Sequence, residues 1–150
     1  MKRFDKKLNA QDIINAIPGG VAIYKVSDIF ETVYYSDGVP ALSGYSRDEY
    51  DLLIKQDAAD LIYHEDTAMV IREMRAVLKA GKSASFEFRK QHRDGHIVWV
   101  NVHARKIGED GGHPLLQCVF HNISAFKQAR EELAHVINSI PGGIAAYDFN

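Results

Sequence analysis

The sequence predicts an α+β fold: a five-stranded antiparallel sheet with short helices and one longer helix on one face, flanked by N- and C-terminal helices. Three observations predict it. Hydrophobic periodicity runs as two strands, several helices and three strands. Arg93-Asp94-Gly95 and Asp110-Gly111-Gly112 break the last three strands into hairpins. No apolar run approaches the ~20 residues of a membrane-spanning helix, so the core is a packed one.

The first residues carry Phe4, Leu8, Ile13, Ile14 and Ile17 among charges, a helical stripe that predicts an amphipathic helix over 1–17. Strands at 21–26 and 30–35 are rich in β-branched and aromatic residues, joined by Ser27-Asp28 and ended by Asp37-Gly38. Between 39 and 63 come short helical pieces. Ser46 with Glu49 has the spacing of a capping box, and Asp57 or Asp60 starts another brief turn. His64-Glu65-Asp66 opens a longer helix whose Met69, Val70, Met74, Val77 and Leu78 fall at steps of three and four before Gly81 stops it; acidic residues suit its start. After Gly81 the period becomes two. Phe86 and Phe88 alternate with Glu87 and Arg89, Val98, Val100, Val102 and Ala104 alternate with polar residues, and a last strand runs over 115–123. From Ser124 the pattern is helical again. Phe126, Ala129, Leu133, Val136 and Ile140 form a coiled-coil seam over 124–140, short enough to need support from its neighbours and from a second copy.

Composition narrows the function classes. The 150 residues are 46% hydrophobic and 25% charged, ordinary for a globular chain able to bury its own core. Cys118 is the one cysteine, which excludes an internal disulfide and a multi-thiolate zinc site. A net charge of −2 gives no general attraction to nucleic acid or anionic membrane, so neither is an expected partner, and the absence of a signal-peptide core points to a cytoplasmic protein.

The string IINAIPGGVAIY at 13–24 returns as VINSIPGGIAAY at 136–147, with eight of twelve positions identical. The spacing is that of a domain rather than of a solenoid repeat. Each copy reads as helix, break, strand, because proline disfavours helix in the residue before it and two glycines permit a sharp reversal. The expectation is a tandem array, with a domain over 18–123 and residues 141–150 the truncated start of a second.

Several residues, taken in order, resemble the bacterial PAS sensor family. They are Leu42-Ser43-Gly44-Tyr45-Ser46 with Glu49-Tyr50, His64-Glu65-Asp66, Phe86-Glu87-Phe88-Arg89, Arg93-Asp94-Gly95, Trp99-Val100 and Asn122-Ile123-Ser124 before a charged helix. The resemblance spans about 18–124. It implies a sheet with helices enclosing a small cavity, a sensory or dimerisation role in a signalling protein, and no catalytic residues. Asn122 and Ser124 stand where the family usually has Asp and Thr, and an amide there hydrogen-bonds without charge. Glu65 replaces the usual proline. Lys90 occupies a position commonly apolar and, by alternation with Phe86 and Phe88, faces inward, where a lysine needs a partner.

The light-oxygen-voltage branch needs a reactive cysteine in its helical region, whereas Cys118 is late in the last strand, so a covalently reactive flavin is not expected. Haem-binding relatives present a histidine from the long helix, and His64, among acids at its start, is a poor iron ligand. Two histidines make a weak metal site, whether His92 with His96 across a turn or His103 with His121 on adjacent strands, so no metal is expected. No phosphate loop or nucleophile elbow is present.

The expected ligand cavity is lined by Phe86, Phe88, Lys90, Val98, Val100, Val102, Cys118 and Phe120 from the sheet, Ile71 and Met74 from the long helix, and Tyr63. Asn122, Ile123 and Ser124 are the expected relay to the terminal helix. The functional expectation is a sensory unit that binds an unknown small molecule, works as a homodimer, and passes its state to a diguanylate cyclase or histidine kinase beyond this chain. The alternative is a ligand-free dimerisation or interaction module. A small α+β enzyme using His64, Glu65 or Asp66 is the remaining reading.

Overall fold

The computed structural model describes residues 19–139. The expected helix over 1–17, Ile140 and the expected start of a second domain at 141–150 lie outside them. Strands β1 (Gly20–Val26) and β2 (Phe30–Tyr35) lead into helices α1 (Gly38–Leu42) and α2 (Arg47–Leu53), then a 3₁₀ turn (Ala58–Leu61) and helix α3 (Thr67–Ala80). Strands β3 (Ala84–Gln91), β4 (Ile97–Asp110) and β5 (His113–Asn122) follow, and helix α4 (Ser124–Ser139) ends the described chain. The five strands form one sheet in the order β2-β1-β5-β4-β3, antiparallel at every pairing.

Local chemistry accounts for the boundaries. The Ser46 and Glu49 capping box is formed, each side chain satisfying the other's backbone N–H at the start of α2. Asp57 starts the 3₁₀ turn by accepting from the Ala59 N–H, and its carboxylate also accepts from the Phe30 N–H. Gly81 ends α3 in the left-handed region at φ 70°, where a side chain would be strained. Gly38 serves a different need. A Cβ there would collide with the Gly19 carbonyl, so only glycine lets α1 start directly beneath the head of β1.

Alternation sorts the sheet into two faces. Ala22, Tyr24 and Val26 of β1, Phe88 and Lys90 of β3, Val98, Val100, Val102 and Ala104 of β4, and Leu116, Cys118 and Phe120 of β5 are all buried on one side. The register sets Val102 opposite both Phe86 and Phe120, and Cys118 opposite both Ala22 and Ala104. Helix α3 covers this face with Val70, Met74 and Val77, packing across β3 and β4, while the 3₁₀ turn packs against β2 and α3. Helix α4 instead meets β4 through Trp99, which alternates with the buried Val98 and Val100.

The start of α3 differs from expectation in its physical reason. Asp66 sits at the N-cap but makes no capping hydrogen bond. Its carboxylate is taken by Arg89, whose backbone N–H donates at 2.8 Å and whose side chain donates at 3.0 and 2.6 Å. Together with the Tyr63 N–H, which donates to the Arg89 carbonyl, and an antiparallel bridge from Ile62 to Lys90, Asp66 closes the open edge of β3.

Candidate functional site: an inner cavity and the helix leaving the sheet

The inward alternation of β3 places Lys90 under the helices, where it is 4% exposed. Its Nζ lies 5.2 Å from the centroid of the Phe120 ring, and among the described residues no carboxylate or hydrogen-bond acceptor meets it. Burial pushes the Lys90 ammonium down to about 8, and the neighbouring Cys118 opposes this only in part. The same burial pushes the Cys118 thiol well up, which holds it protonated and unreactive.

Lys90 borders open space. An apolar cavity of about 40 Å³ lies between the sheet and α3, with Val70, Ile71, Met74, Phe88, Phe120 and Leu116 among its walls, which also include Tyr24, Tyr50 and Lys90. A more polar cleft of about 230 Å³ reaches the surface past Ser43, Tyr45, Asp60, His92 and Arg93. Tyr50, Leu61, Ile62 and Lys90 belong to both walls. The inner chamber has room for about three water-sized groups. With the side chains as they stand, a flavin or haem ring does not fit it.

Of the residues expected at the cavity, Ile71, Met74, Phe88, Lys90 and Phe120 line it. Val98, Val100, Val102 and Cys118 are buried but lie outside its wall, because α3 packs onto β4 and fills that space with side chains. Phe86 is half-buried at the margin of the core, 6.2 Å from the Phe88 ring. Tyr63 belongs to the β3 edge, with the Arg89 guanidinium 4.7 Å from its ring centroid. The wall also takes in Tyr24, Phe30 and Tyr50, none of which was expected there. Tyr24 shares the inward parity of Ala22 and Val26, a signal legible in the β1 pattern. Burial raises the hydroxyls of both Tyr24 and Tyr50, which therefore stay protonated as donors.

The second feature is the junction of β5 and α4. The Trp99 N–H donates to the Ser124 hydroxyl at 2.9 Å, the Ile123 N–H donates to the Trp99 carbonyl at 2.9 Å, and the Ser124 N–H donates to Asn122 Oδ1 at 2.9 Å. All three are uncharged. One turn later Lys127 adds charge: its Nζ lies 4.1 Å from the Trp99 ring centroid and 2.8 Å from Glu87. Beyond this clamp α4 stands clear of the sheet. Phe126, Ala129, Leu133 and Val136 are exposed, with Phe126, Leu133 and Val136 at 61%, 58% and 53%.

Histidines and acids elsewhere are engaged locally. His92, Asp94 and His96 bring three donor atoms within 4.8 Å of one another at the β3–β4 turn, where Asp94 already accepts from the His96 backbone and ring. His103 and His121 are set diagonally on adjacent strands, opposite Val119 and Asn101, and His103 meets Ser85. His64 is exposed against Tyr63, while Glu65 joins Asp66 on Arg89.

An antiparallel five-stranded sheet, an inner cavity under crossing helices and a helix issuing from the last strand define an α+β cavity-bearing class. The family described as PAS fold matches residues 32–120, and the chain belongs to it. Solved structures agree on the fold. A PAS domain from a two-component sensor histidine kinase is 18% identical with a TM-score of 0.56, covering 75% of this chain and 92% of its own. The N-terminal domain of a diguanylate cyclase with PAS/PAC sensor from Marinobacter aquaeolei is 20% identical with a TM-score of 0.55, covering 72% and 97%. An RNA-binding light-oxygen-voltage receptor is 16% identical with a TM-score of 0.62, covering 84% of this chain and 35% of that one. No protein of curated function matches the sequence.

Proposed function

We propose that this chain is a cytoplasmic sensory unit that binds a small molecule in the inner cavity and reports occupancy through α4. The observation that carries this reading is one of continuity. Phe120, a wall of the cavity, lies on β5 only four residues before Ser124, where the strand becomes α4 and is tied to Trp99. A ligand that fits one packing of α3 on the sheet better than another biases β4 and β5, and the junction turns that bias into a change in the angle or order of α4. The exposed stripe of α4 then pairs in a homodimer and hands the state to an output domain of the same protein. A diguanylate cyclase or a histidine kinase is the favoured output, since structural neighbours carry those names. The repeat beginning at Val136 supports a neighbouring unit of the same kind. Among the described residues no helix is long and apolar enough to cross a membrane. The role is regulatory, and Glu65 and Asp66 serve Arg89 rather than a reaction.

The small chamber, about 40 Å³, favours a second reading in which side chains alone fill the space and the domain only pairs. Thermal-shift screening against a metabolite library decides between them, because any ligand of the native state raises Tm by mass action. A stabilising metabolite whose effect is lost on filling the chamber with Ile71→Phe supports the receptor. No stabilisation by any member supports the pairing module.

A further inference from the structure

Lys90 is buried, cationic and without a counter-charge among the described residues, and it borders open space. A lone ammonium in an apolar wall is costly unless something negative joins it. The titratable groups around the cavity do not supply this. Tyr24 from β1, Tyr50 from α2 and Cys118 from β5 are held protonated by burial. At the outer cleft Asp60 is exposed, Arg93 is paired with Glu49 at 2.7 Å, and His92 faces Asp94 at 3.2 Å. No described residue is left to neutralise Lys90, whereas the two tyrosine hydroxyls have no hydrogen-bond partner among the described residues and belong to the wall of the same cavity.

Resting on the receptor reading above, we infer that the cavity takes a small monocarboxylate, its carboxylate paired with Lys90 Nζ and its short apolar chain against Met74, Phe88 and Phe120. The charge of the site selects an anion. Its apolar walls and small volume select a chain of few carbons rather than phosphate or a dicarboxylate, whose remaining charge would be buried without a partner. The hydroxyls of Tyr24 and Tyr50 are the donors available to the second carboxylate oxygen. Because Lys90 and the carboxylate must both be charged, affinity is full between about pH 5 and pH 7, falls in acid as the carboxylate protonates, and declines as the pH passes about 8.

The test is calorimetric titration of the whole chain with formate, acetate and propionate and with the matching neutral amides. At pH 7 the best carboxylate is expected to bind at least tenfold tighter than its amide, and about tenfold tighter at pH 7 than at pH 9. Lys90→Gln is expected to erase that preference while keeping amide affinity within about twofold. Carbon-13 NMR of the Lys90 ε-carbon in the unmodified protein gives an independent readout, with the lysine's titration midpoint rising when acetate is added. Equal affinity for carboxylate and amide, or a midpoint that does not move, overturns the anion inference and leaves the receptor reading standing. Binding of neither series, with no stabilising metabolite in the library screen, overturns both.

Discussion

At the residue scale, Lys90 and Asp66 are opposite solutions to burying charge. Lys90 has no counter-charge among the described residues, and its depression from 10.5 to about 8 is worth about 3 kcal/mol against the folded state at about 1.4 kcal/mol per pH unit. Between pH 8 and pH 10 the unfolded lysine holds a proton that the folded one has released. Stability of the ligand-free protein is therefore expected to rise across that window, and to stay flat in Lys90→Met, which is also more stable than wild type at pH 7. Tyr24 and Tyr50 act in the other direction and only above about pH 10, because burial raises them. Urea denaturation at a series of pH values reads both effects. Asp66 is held low by three hydrogen bonds from Arg89, so its contribution is present above about pH 4 and lost as the pH falls below it. Asp66→Asn is expected to cost about 2 kcal/mol at pH 7 and to flatten the acid limb of the stability curve. The inward lysine was legible because alternation through Phe86, Phe88 and Lys90 is a local rule. The Asp66–Arg89 pair was not, since it joins a helix start to a strand edge 23 residues away and no spacing encodes that.

At the scale of elements, the hinge between β5 and α4 concentrates its anchoring in one turn. Ser124→Ala leaves the Trp99 N–H without its acceptor and removes the first hydroxyl of the helix, a loss of about 1–2 kcal/mol. Amide exchange over residues 122–127 is expected to accelerate in that variant while the centre of β4 stays protected. Trp99 is the only tryptophan, so its fluorescence reports the clamp directly. Lys127→Ala is expected to shift its emission as the ammonium leaves the ring face. Strands, the capping box, the stop at Gly81 and the helix from Ser124 were readable because each rests on neighbours within a few residues. The cavity wall was readable only in part. Alternation identifies which side of β4 is buried, but whether Val98, Val100 and Val102 meet space or α3 depends on how the helix crosses the sheet, and only packing decides that.

For the whole molecule, the exposed Phe126, Leu133 and Val136 predict association through α4. Light scattering is expected to give a dimer mass for the unmodified chain and a monomer mass for Leu133→Asp, and a monomer for both would remove the pairing step. Cavity, junction and seam then lie along one path, from Phe120 through Ser124 to Leu133. The most direct test is amide hydrogen exchange at pH 7 with and without saturating acetate. Coupled changes in protection around Lys90 and across residues 122–127, both abolished by Lys90→Gln, are the result expected of a sensor that works through this path. Changes confined to the cavity, with the β5–α4 junction unaltered, would contradict it.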